Sequence, residues 1–110
     1  MTITCFIRYR IDPHRKADFE EYARNWGRII PRCGADLIGY FAPHEGSATT
    51  AYGVYNVASL ADYEAYRARL QADPEGRANY EFAQAARFIQ SEDRIFLRLA
   101  SVPHSPGEDQ

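Results

Sequence analysis

Strict alternation between apolar and mostly polar residues marks the first strand, and it limits the fold more than any other feature of the sequence. The apolar positions are Ile3, Cys5, Ile7, Tyr9 and Ile11, and the residues between them are Thr4, Phe6, Arg8 and Arg10. A period of two places successive side chains on opposite faces of a β-strand. The sequence therefore predicts a strand whose one face packs against a covering layer.

Helix start signals give the next elements. Asp12 suits an N-cap and Pro13 the first position of a helix. Apolar residues at spacings of three and four then predict an amphipathic helix that runs to about Arg32. We expect its apolar face to pack in the core; it carries Phe19, Tyr22, Ala23, Trp26, Ile29 and Ile30. Ser59 and Asp62 form a capping box, a hydroxyl followed three residues later by a carboxylate, so a second helix begins there. One face of this helix carries Tyr63, Tyr66 and Leu70, which we expect to pack in the core against the sheet.

The remaining signals complete the order of elements. The Asp73–Pro74 pair breaks the second helix into two. Further strands are predicted over Ala35–Ala42, Thr50–Val57 and Arg94–Ala100. The resulting order, β-α-β-β-α-(α)-β, predicts a ferredoxin-like α+β fold with a four-stranded antiparallel sheet.

The first and last strands assign the two faces of this sheet. Helices cover one face, which we expect to be the apolar one, with Ile3, Cys5, Ile7, Tyr9, Ile95, Leu97 and Leu99. The opposite face would then carry Phe6, Arg8, Arg10, Arg94, Phe96 and Arg98. Such a mixture of rings and arginines suits neither bare solvent nor an ordinary core. A second copy of the sheet would cover it, so the sequence predicts a homodimer joined sheet to sheet.

Charge and hydropathy exclude two classes of partner. The net charge of −2 gives no general attraction to nucleic acid or to an anionic membrane. No stretch approaches the roughly 18 consecutive apolar residues of a membrane-spanning helix. The N-terminal segment also lacks the pattern of a secretory signal. We therefore expect neither nucleic acid nor membrane as a partner.

Length and composition predict one domain over residues 1–100, followed by a mobile tail over residues 101–110 that contains His104. Cys5 and Cys33 show no metal-binding or redox spacing, and we expect both to be reduced and buried in a cytoplasmic protein. Aromatic residues make up 14% of the chain and include eight tyrosines. This content indicates a large aromatic interface or an aromatic-lined cavity.

Two histidines and several carboxylates are predicted at one end of the fold. The first helix begins there, the second strand ends there and the last strand begins there. This places His14, His44 and Glu45 near Glu92 and Asp93. Acid–base chemistry would make His44, Glu45 and His14 the catalytic candidates, whereas the simpler interpretation is that they are polar loop and cap residues. No spacing typical of a metal site occurs, so we predict neither a metal nor a cofactor.

The arginine-bearing face gives the stronger ligand hypothesis. Guanidinium groups suit carboxylate or phosphate ligands, and nearby rings would form apolar walls. The predicted binding residues for a small acidic or aromatic molecule are Arg8, Arg98, Phe6, Phe96, Tyr40 and Tyr52. The favoured alternative is that the arginines pair with carboxylates of the partner subunit or the rim and stabilise the dimer.

Three stretches carry a family pattern: "LIGYFAPHEG", "YNVASLADYEAYRARLQADPEGRANY" and "SEDRIFLRL". This combination resembles the NIPSNAP family over about residues 35–99 and implies a dimeric α+β barrel. The family has no agreed catalytic residues to carry over, and proteins that share the barrel include cofactor-independent monooxygenases, lactone isomerases and haem proteins. The chain departs from the pattern at Gly76, where a bulky aromatic residue is common, and at "SATT", where an asparagine is common.

The resemblance leaves two hypotheses for function. The first is a structural or small-molecule-binding dimer. The alternative is a monooxygenase or isomerase without organic cofactor, which would hold a small acidic aromatic substrate between Arg8, Arg98 and aromatic walls. Such an enzyme needs a base, His44 or a buried tyrosine, within hydrogen-bond reach of a cavity. An interior filled by side chains would argue against the enzyme.

Overall fold

Strands and helices follow one another in the predicted order in the computed structural model, which describes residues 2–102. The strands are β1 (Ile3–Ile11), β2 (Asp36–Phe41), β3 (Thr50–Val57) and β4 (Ile89–Arg98). The helices are α1 (Lys16–Arg32), α2 (Leu60–Ala72) and α3 (Pro74–Ala86), and a short 3₁₀ turn over Pro13–Arg15 leads into α1. Most of the predicted tail, including His104, lies outside the described residues.

The helix starts have the predicted caps. The Ser59 hydroxyl accepts a hydrogen bond from the Asp62 backbone N–H at 3.1 Å, which confirms the capping box of α2. Asp12 accepts one from the backbone N–H of His14 at 2.9 Å. These polar contacts satisfy backbone donors that have no partner within the helix.

Asp73 joins all three helices. It lies between α2 and α3, and its carboxylate accepts the backbone N–H groups of Glu75 at 2.9 Å and Gly76 at 3.1 Å. The Arg32 guanidinium at the end of α1 donates to both oxygens of the same carboxylate at 2.8 Å. Its neighbour Cys33 is buried beside this junction, as predicted for a free thiol.

The sheet has the order β2-β3-β1-β4, and every neighbouring pair is antiparallel. This is the predicted ferredoxin-like arrangement. The helices cover the face that carries the buried β1 residues Cys5, Ile7, Tyr9 and Ile11. The α1 residues packed against them are Phe19, Tyr22, Trp26, Ile29 and Ile30. The core therefore lies between one face of the sheet and the helices.

The register of β4 corrects the prediction for the last strand. Ile95 pairs with Phe6, and Arg94 pairs with Ile7. The helix side of β4 therefore carries Glu92, Arg94, Phe96 and Arg98, and the other side carries Asp93, Ile95 and Leu97. The prediction that one face of the sheet carries all of these arginines is therefore wrong. Because β4 has apolar residues on both sides, its alternation alone does not identify the side that faces the helices.

We call the sheet surface opposite the helices the open face. It is formed by Phe6, Arg8 and Arg10 of β1, Tyr52 and Val54 of β3, Phe41 of β2, and Ile95 and Leu97 of β4. Phe41 and Ile95 are each 51% exposed and Leu97 is 45% exposed. The open face is thus more apolar than the sequence predicted, and its apolar side chains stand in solvent in the single chain.

Candidate functional site

A cavity of about 430 Å³ lies between the sheet and the helices. Its sheet side is lined by Ile7, Tyr9, Tyr40, Tyr55, Glu92 and Arg94, and its helix side includes Tyr22, Trp26, Tyr66, Arg67, Leu70 and Tyr80. The volume falls within the range of about 300–1,000 Å³ typical of small-molecule sites. The interior of this fold is therefore not filled by its own side chains.

Three tyrosines from different elements form one wall of the cavity. The Tyr22 ring lies edge-on to those of Tyr9 and Tyr40, with ring centroids 6.4 Å apart in both cases. The Tyr9 and Tyr40 hydroxyl oxygens are 3.3 Å apart. Trp26 extends this wall, because its ring stands edge-on to Tyr22 with centroids 5.6 Å apart. Edge-to-face rings pack densely while leaving their polar ends free to meet other groups.

A second wall is formed by Tyr55 of β3 and Tyr66 of α2, whose ring centroids are 5.2 Å apart. The Cys5 thiol lies beside the Tyr55 hydroxyl, and burial raises the pKa of this thiol. The position of Tyr66 follows from the predicted apolar face of α2, where it is the fully buried residue.

Burial also raises the pKa of the cavity tyrosines Tyr9, Tyr22, Tyr40, Tyr55 and Tyr66. The pKa of Tyr22 reaches about 12. The cause is desolvation, which disfavours a phenolate away from water. These hydroxyls therefore stay protonated at neutral pH and act as hydrogen-bond donors and acceptors, and they are unsuited to serve as bases.

Two guanidinium groups line the cavity, one from the sheet and one from the helical layer. Arg94 projects from β4 and donates to Glu92 at 3.3 Å in a pair whose side chains are 31% and 39% exposed. Arg67 projects from α2 and donates to the Tyr63 hydroxyl at 2.6 Å, with its guanidinium 5.7 Å from that ring centroid. Both positive charges act on the Cys5 thiol. They lower its pKa, but burial raises that pKa by more.

The indole N–H of Trp26 is a hydrogen-bond donor without an acceptor among the described residues. Its Nε1 is buried and makes no hydrogen bond to any of the residues that the structure describes. A buried N–H without an acceptor costs free energy, on the order of 1–3 kcal/mol. The cavity that Trp26 lines is therefore a place where an additional acceptor would be favourable.

The predicted ligand-binding residues do not come together. Tyr40 lines the cavity. Phe6, Tyr52 and Arg8 lie on the open face, where the rings of Phe6 and Tyr52 are 5.3 Å apart and Arg8 pairs with Asp93 at 3.1 Å. The others, Phe96 and Arg98, share the helix side with Arg94 but do not line the cavity. The Phe96 ring instead packs edge-on to Tyr63 with centroids 4.8 Å apart.

The catalytic candidates lie away from the cavity. His44 and Glu45 are exposed in the connection between β2 and β3, and His14 is exposed in the turn before α1. None of the three lines the cavity. Glu92, expected at the rim, is a cavity residue because β4 begins at Ile89 and places it opposite Tyr9.

Sequence reasoning missed most of the cavity residues. Tyr9, Tyr22, Tyr66 and Trp26 were expected to be ordinary core residues, and Arg67 received no role. The signal that could have found them is the number of tyrosines at core positions. A core built from tyrosine where phenylalanine would fit brings hydroxyls inside, and buried hydroxyls need polar partners.

The described residues contain neither a cluster of metal ligands nor a helix able to span a membrane. Among residues 2–102, no group of three or more His, Cys, Asp or Glu side chains is placed to hold a metal ion. In the same part of the chain, no helix has the length and apolar character needed to cross a bilayer. What the cavity offers chemically is hydrogen bonding, aromatic stacking and charge.

Known proteins resemble this chain in sequence and in structure. A model of the NIPSNAP family matches residues 4–104, whereas no curated protein matches. Protein Atu4242 from Agrobacterium tumefaciens is 21% identical, with a TM-score of 0.77 over 89% of this chain and 93% of that one. A NIPSNAP family protein from the same bacterium is 25% identical, with a TM-score of 0.67 over 89% and 92%. SnoaB, a cofactor-independent oxygenase from Streptomyces nogalater, is 14% identical, with a TM-score of 0.65 over 92% and 95%.

Proposed function

Because the chain belongs to the NIPSNAP family, whose model matches residues 4–104, we propose that it is a homodimer that binds a small aromatic molecule in the cavity of each protomer. The observation that carries this proposal is the cavity of about 430 Å³ walled by tyrosine rings. Rings and protonated hydroxyls suit a flat ligand with a few oxygen atoms. A purely structural domain has no need for such a space, because a filled core is more stable.

The open face supports the dimer. Phe41, Ile95 and Leu97 are about half exposed there, and contiguous apolar surface on a soluble domain marks an interface. The strand β4 is also an edge of the sheet, and edges are commonly protected by a partner. We further propose that the dimer is cytoplasmic and that residues 1–100 act as one domain. The free thiols of Cys5 and Cys33 support a reducing compartment.

The test uses Trp26, the only tryptophan of the chain, as a reporter inside the cavity. Aromatic compounds of one to three rings are titrated against the protein, and both tryptophan fluorescence and the melting temperature are followed. We expect saturable changes in fluorescence and a concentration-dependent rise in melting temperature, since binding to the folded state stabilises it.

A matched pair of variants locates the binding site. Leu70→Phe enlarges a side chain that lines the cavity, whereas Leu60→Phe makes the same change at an exposed position of the same helix. The first should weaken binding and the second should not. The proposal fails if no compound changes either signal, or if both variants bind as the wild type does.

A cofactor-independent monooxygenase or isomerase acting on a small acidic aromatic substrate is the second candidate. The observation in its favour is Glu92, a carboxylate that lines the cavity and could accept a proton. The fold shared with SnoaB is compatible with it. Ligands that bind are incubated with the protein in air and analysed by mass spectrometry. Product that forms with the wild type and is lost in Glu92→Gln would favour the enzyme, and unchanged ligand would favour binding alone.

A further inference from the structure

We infer that Arg67 and Arg94 form a carboxylate subsite at one end of the cavity, so that the ligand is an aromatic carboxylate. This inference rests on the proposed binding function and narrows its ligand class. It moves the acid-binding role from Arg8 and Arg98, which do not line the cavity, to two arginines that do.

The two arginines line the same cavity although they lie on different elements. Arg94 extends from β4 on the helix side of the sheet, and Arg67 extends from α2 above it. Both line the cavity, and both charges act on the same Cys5 thiol. Tyr63 is near both, since its hydroxyl accepts from Arg67 at 2.6 Å and it interacts electrostatically with Arg94. Two forked donors that line one cavity suit the two oxygens of a carboxylate.

Neither arginine has a strong carboxylate partner. Arg67 donates to a phenol and forms no ion pair within residues 2–102. Arg94 pairs with Glu92 at 3.3 Å, but both side chains are about one-third exposed, and exposed pairs of this kind contribute little. A ligand carboxylate could therefore displace Glu92 and bind both arginines at small cost.

The charge of the whole lining fits a singly charged acid. It contains three arginines and two glutamates, the others being Arg77 and Glu81. The Arg77 guanidinium already donates to the backbone carbonyls of Gln71 and Ala72 at 3.1 Å, at the end of α2. One positive charge in excess neutralises a carboxylate but leaves a doubly charged phosphate incompletely paired, which is costly in a partly buried site.

The aromatic wall of the cavity fits the aromatic body of the ligand. The rings of Tyr9, Tyr22 and Tyr40 and the indole of Trp26 form a continuous apolar wall. The unpartnered Nε1 of Trp26 offers a donor to an oxygen on the ring of the ligand. Arginines that pair with the carboxylate and rings that stack on the aromatic body would give the ligand one orientation.

The test compares naphthoate with its uncharged amide, naphthamide, by titration of tryptophan fluorescence. The acid should bind at least about tenfold more tightly than the amide, as expected for charge-assisted hydrogen bonds. Arg67→Gln and Arg94→Gln should each remove most of this preference, because they weaken binding of the acid far more than binding of the amide. Arg98→Gln is the matched control, because it lies on the same strand and the same side as Arg94 but outside the cavity.

Two further variants keep the result independent of damage to the fold. Glu92→Gln removes the competing carboxylate and should tighten binding of the acid several-fold without affecting the amide, an effect that unfolding does not imitate. Arg94→Lys keeps the charge and should retain part of the preference.

Equal affinity for acid and amide in the wild type would overturn the inference while leaving aromatic binding intact. The inference would also be overturned if Arg94→Gln and Arg98→Gln lost the preference for the acid to the same extent. Binding of neither compound would count against the proposed function itself, and the inference would be lost with it.

Discussion

Gly53 lies directly against the ring of Tyr40. The two residues pair across β3 and β2, and a β-carbon at position 53 would lie 2.7 Å from the Tyr40 Cε2 atom. The absence of a side chain on β3 is thus what allows the Tyr40 ring to lie flat on the sheet and form part of the cavity wall.

Gly53→Ala should destabilise the protein by about 1–3 kcal/mol, since the new methyl group forces the buried Tyr40 ring to move. It should also weaken ligand binding. The free energy of unfolding in urea gives the first effect, and tryptophan fluorescence gives the second. Gly27→Ala is the control, because a β-carbon there meets no atom within 4 Å and the residue is in α1. That change should stabilise by up to about 1 kcal/mol. Destabilisation by both changes would contradict the steric explanation.

Ile95→Arg should convert the proposed dimer into a monomer, because it places a charge on the apolar part of the open face. The mass in solution, measured by light scattering after gel filtration, reports the change. Leu60→Arg introduces the same charge at a similarly exposed apolar position on α2. It should leave the dimer intact, and a monomeric wild type would refute the proposed interface altogether.

Asp73 should make the stability of the protein sensitive to acid. The hydrogen bonds from Arg32 and from the backbone N–H of Gly76 hold the pKa of this carboxyl below its ordinary value of 3.8. Because the pKa of Asp73 is lower in the folded state, its contribution to the free energy of unfolding is complete above the pKa of the unfolded state. That contribution is lost as the pH falls through the pKa of the folded state. Asp73→Asn should therefore lower the free energy of unfolding at pH 7 and flatten its decline below pH 4. Glu64→Gln, an exposed position on α2, is the control for removing a carboxylate.

Alkaline pH should destabilise the protein through its buried tyrosines. Burial raises the pKa of Tyr22 from 10 to about 12. Below pH 10 the Tyr22 hydroxyl keeps its proton in both the folded and the unfolded state, so its contribution to stability is complete. Above it the unfolded chain ionises first, and stability is lost as the pH rises towards the folded pKa. Tyr22→Phe should reduce the slope of the unfolding free energy between pH 10 and 12, with Tyr80→Phe as the control for loss of an exposed hydroxyl. An unchanged slope in Tyr22→Phe would show that its hydroxyl is not buried.

Local signals in the sequence predicted the fold well. The caps at Asp12 and Ser59, the break at Asp73–Pro74 and the alternation of β1 each depend on neighbouring residues, so they can be predicted without tertiary information. The side of β4 that faces the helices could not be predicted, because it depends on the register of β4 against β1. Apolar residues on both of its sides, Ile95 and Phe96, remove the usual contrast between core and solvent.

The cavity was predictable only in part. An aromatic composition indicated an aromatic interface or cavity, and both are supported by the arrangement described above. Which tyrosines enclose space, however, depends on how closely α2 and α3 approach the sheet, and on the missing side chain of Gly53. Arg67 could not be found from its sequence position, since a charged residue beside a buried one on a helix is usually solvated.

The junction at Asp73 also determines how a molecule reaches the cavity. Since one carboxylate fastens the ends of three helices together, the helical layer resists parting between its own members. The helical layer is less closed along β4, because residues 90–98 are exposed. Tyr80 and Glu81 of α3, which line the cavity, are also exposed. The entrance therefore opens between α3 and β4. Glu92 and Arg94 lie on β4 beside this entrance, so an incoming molecule would meet charged side chains there.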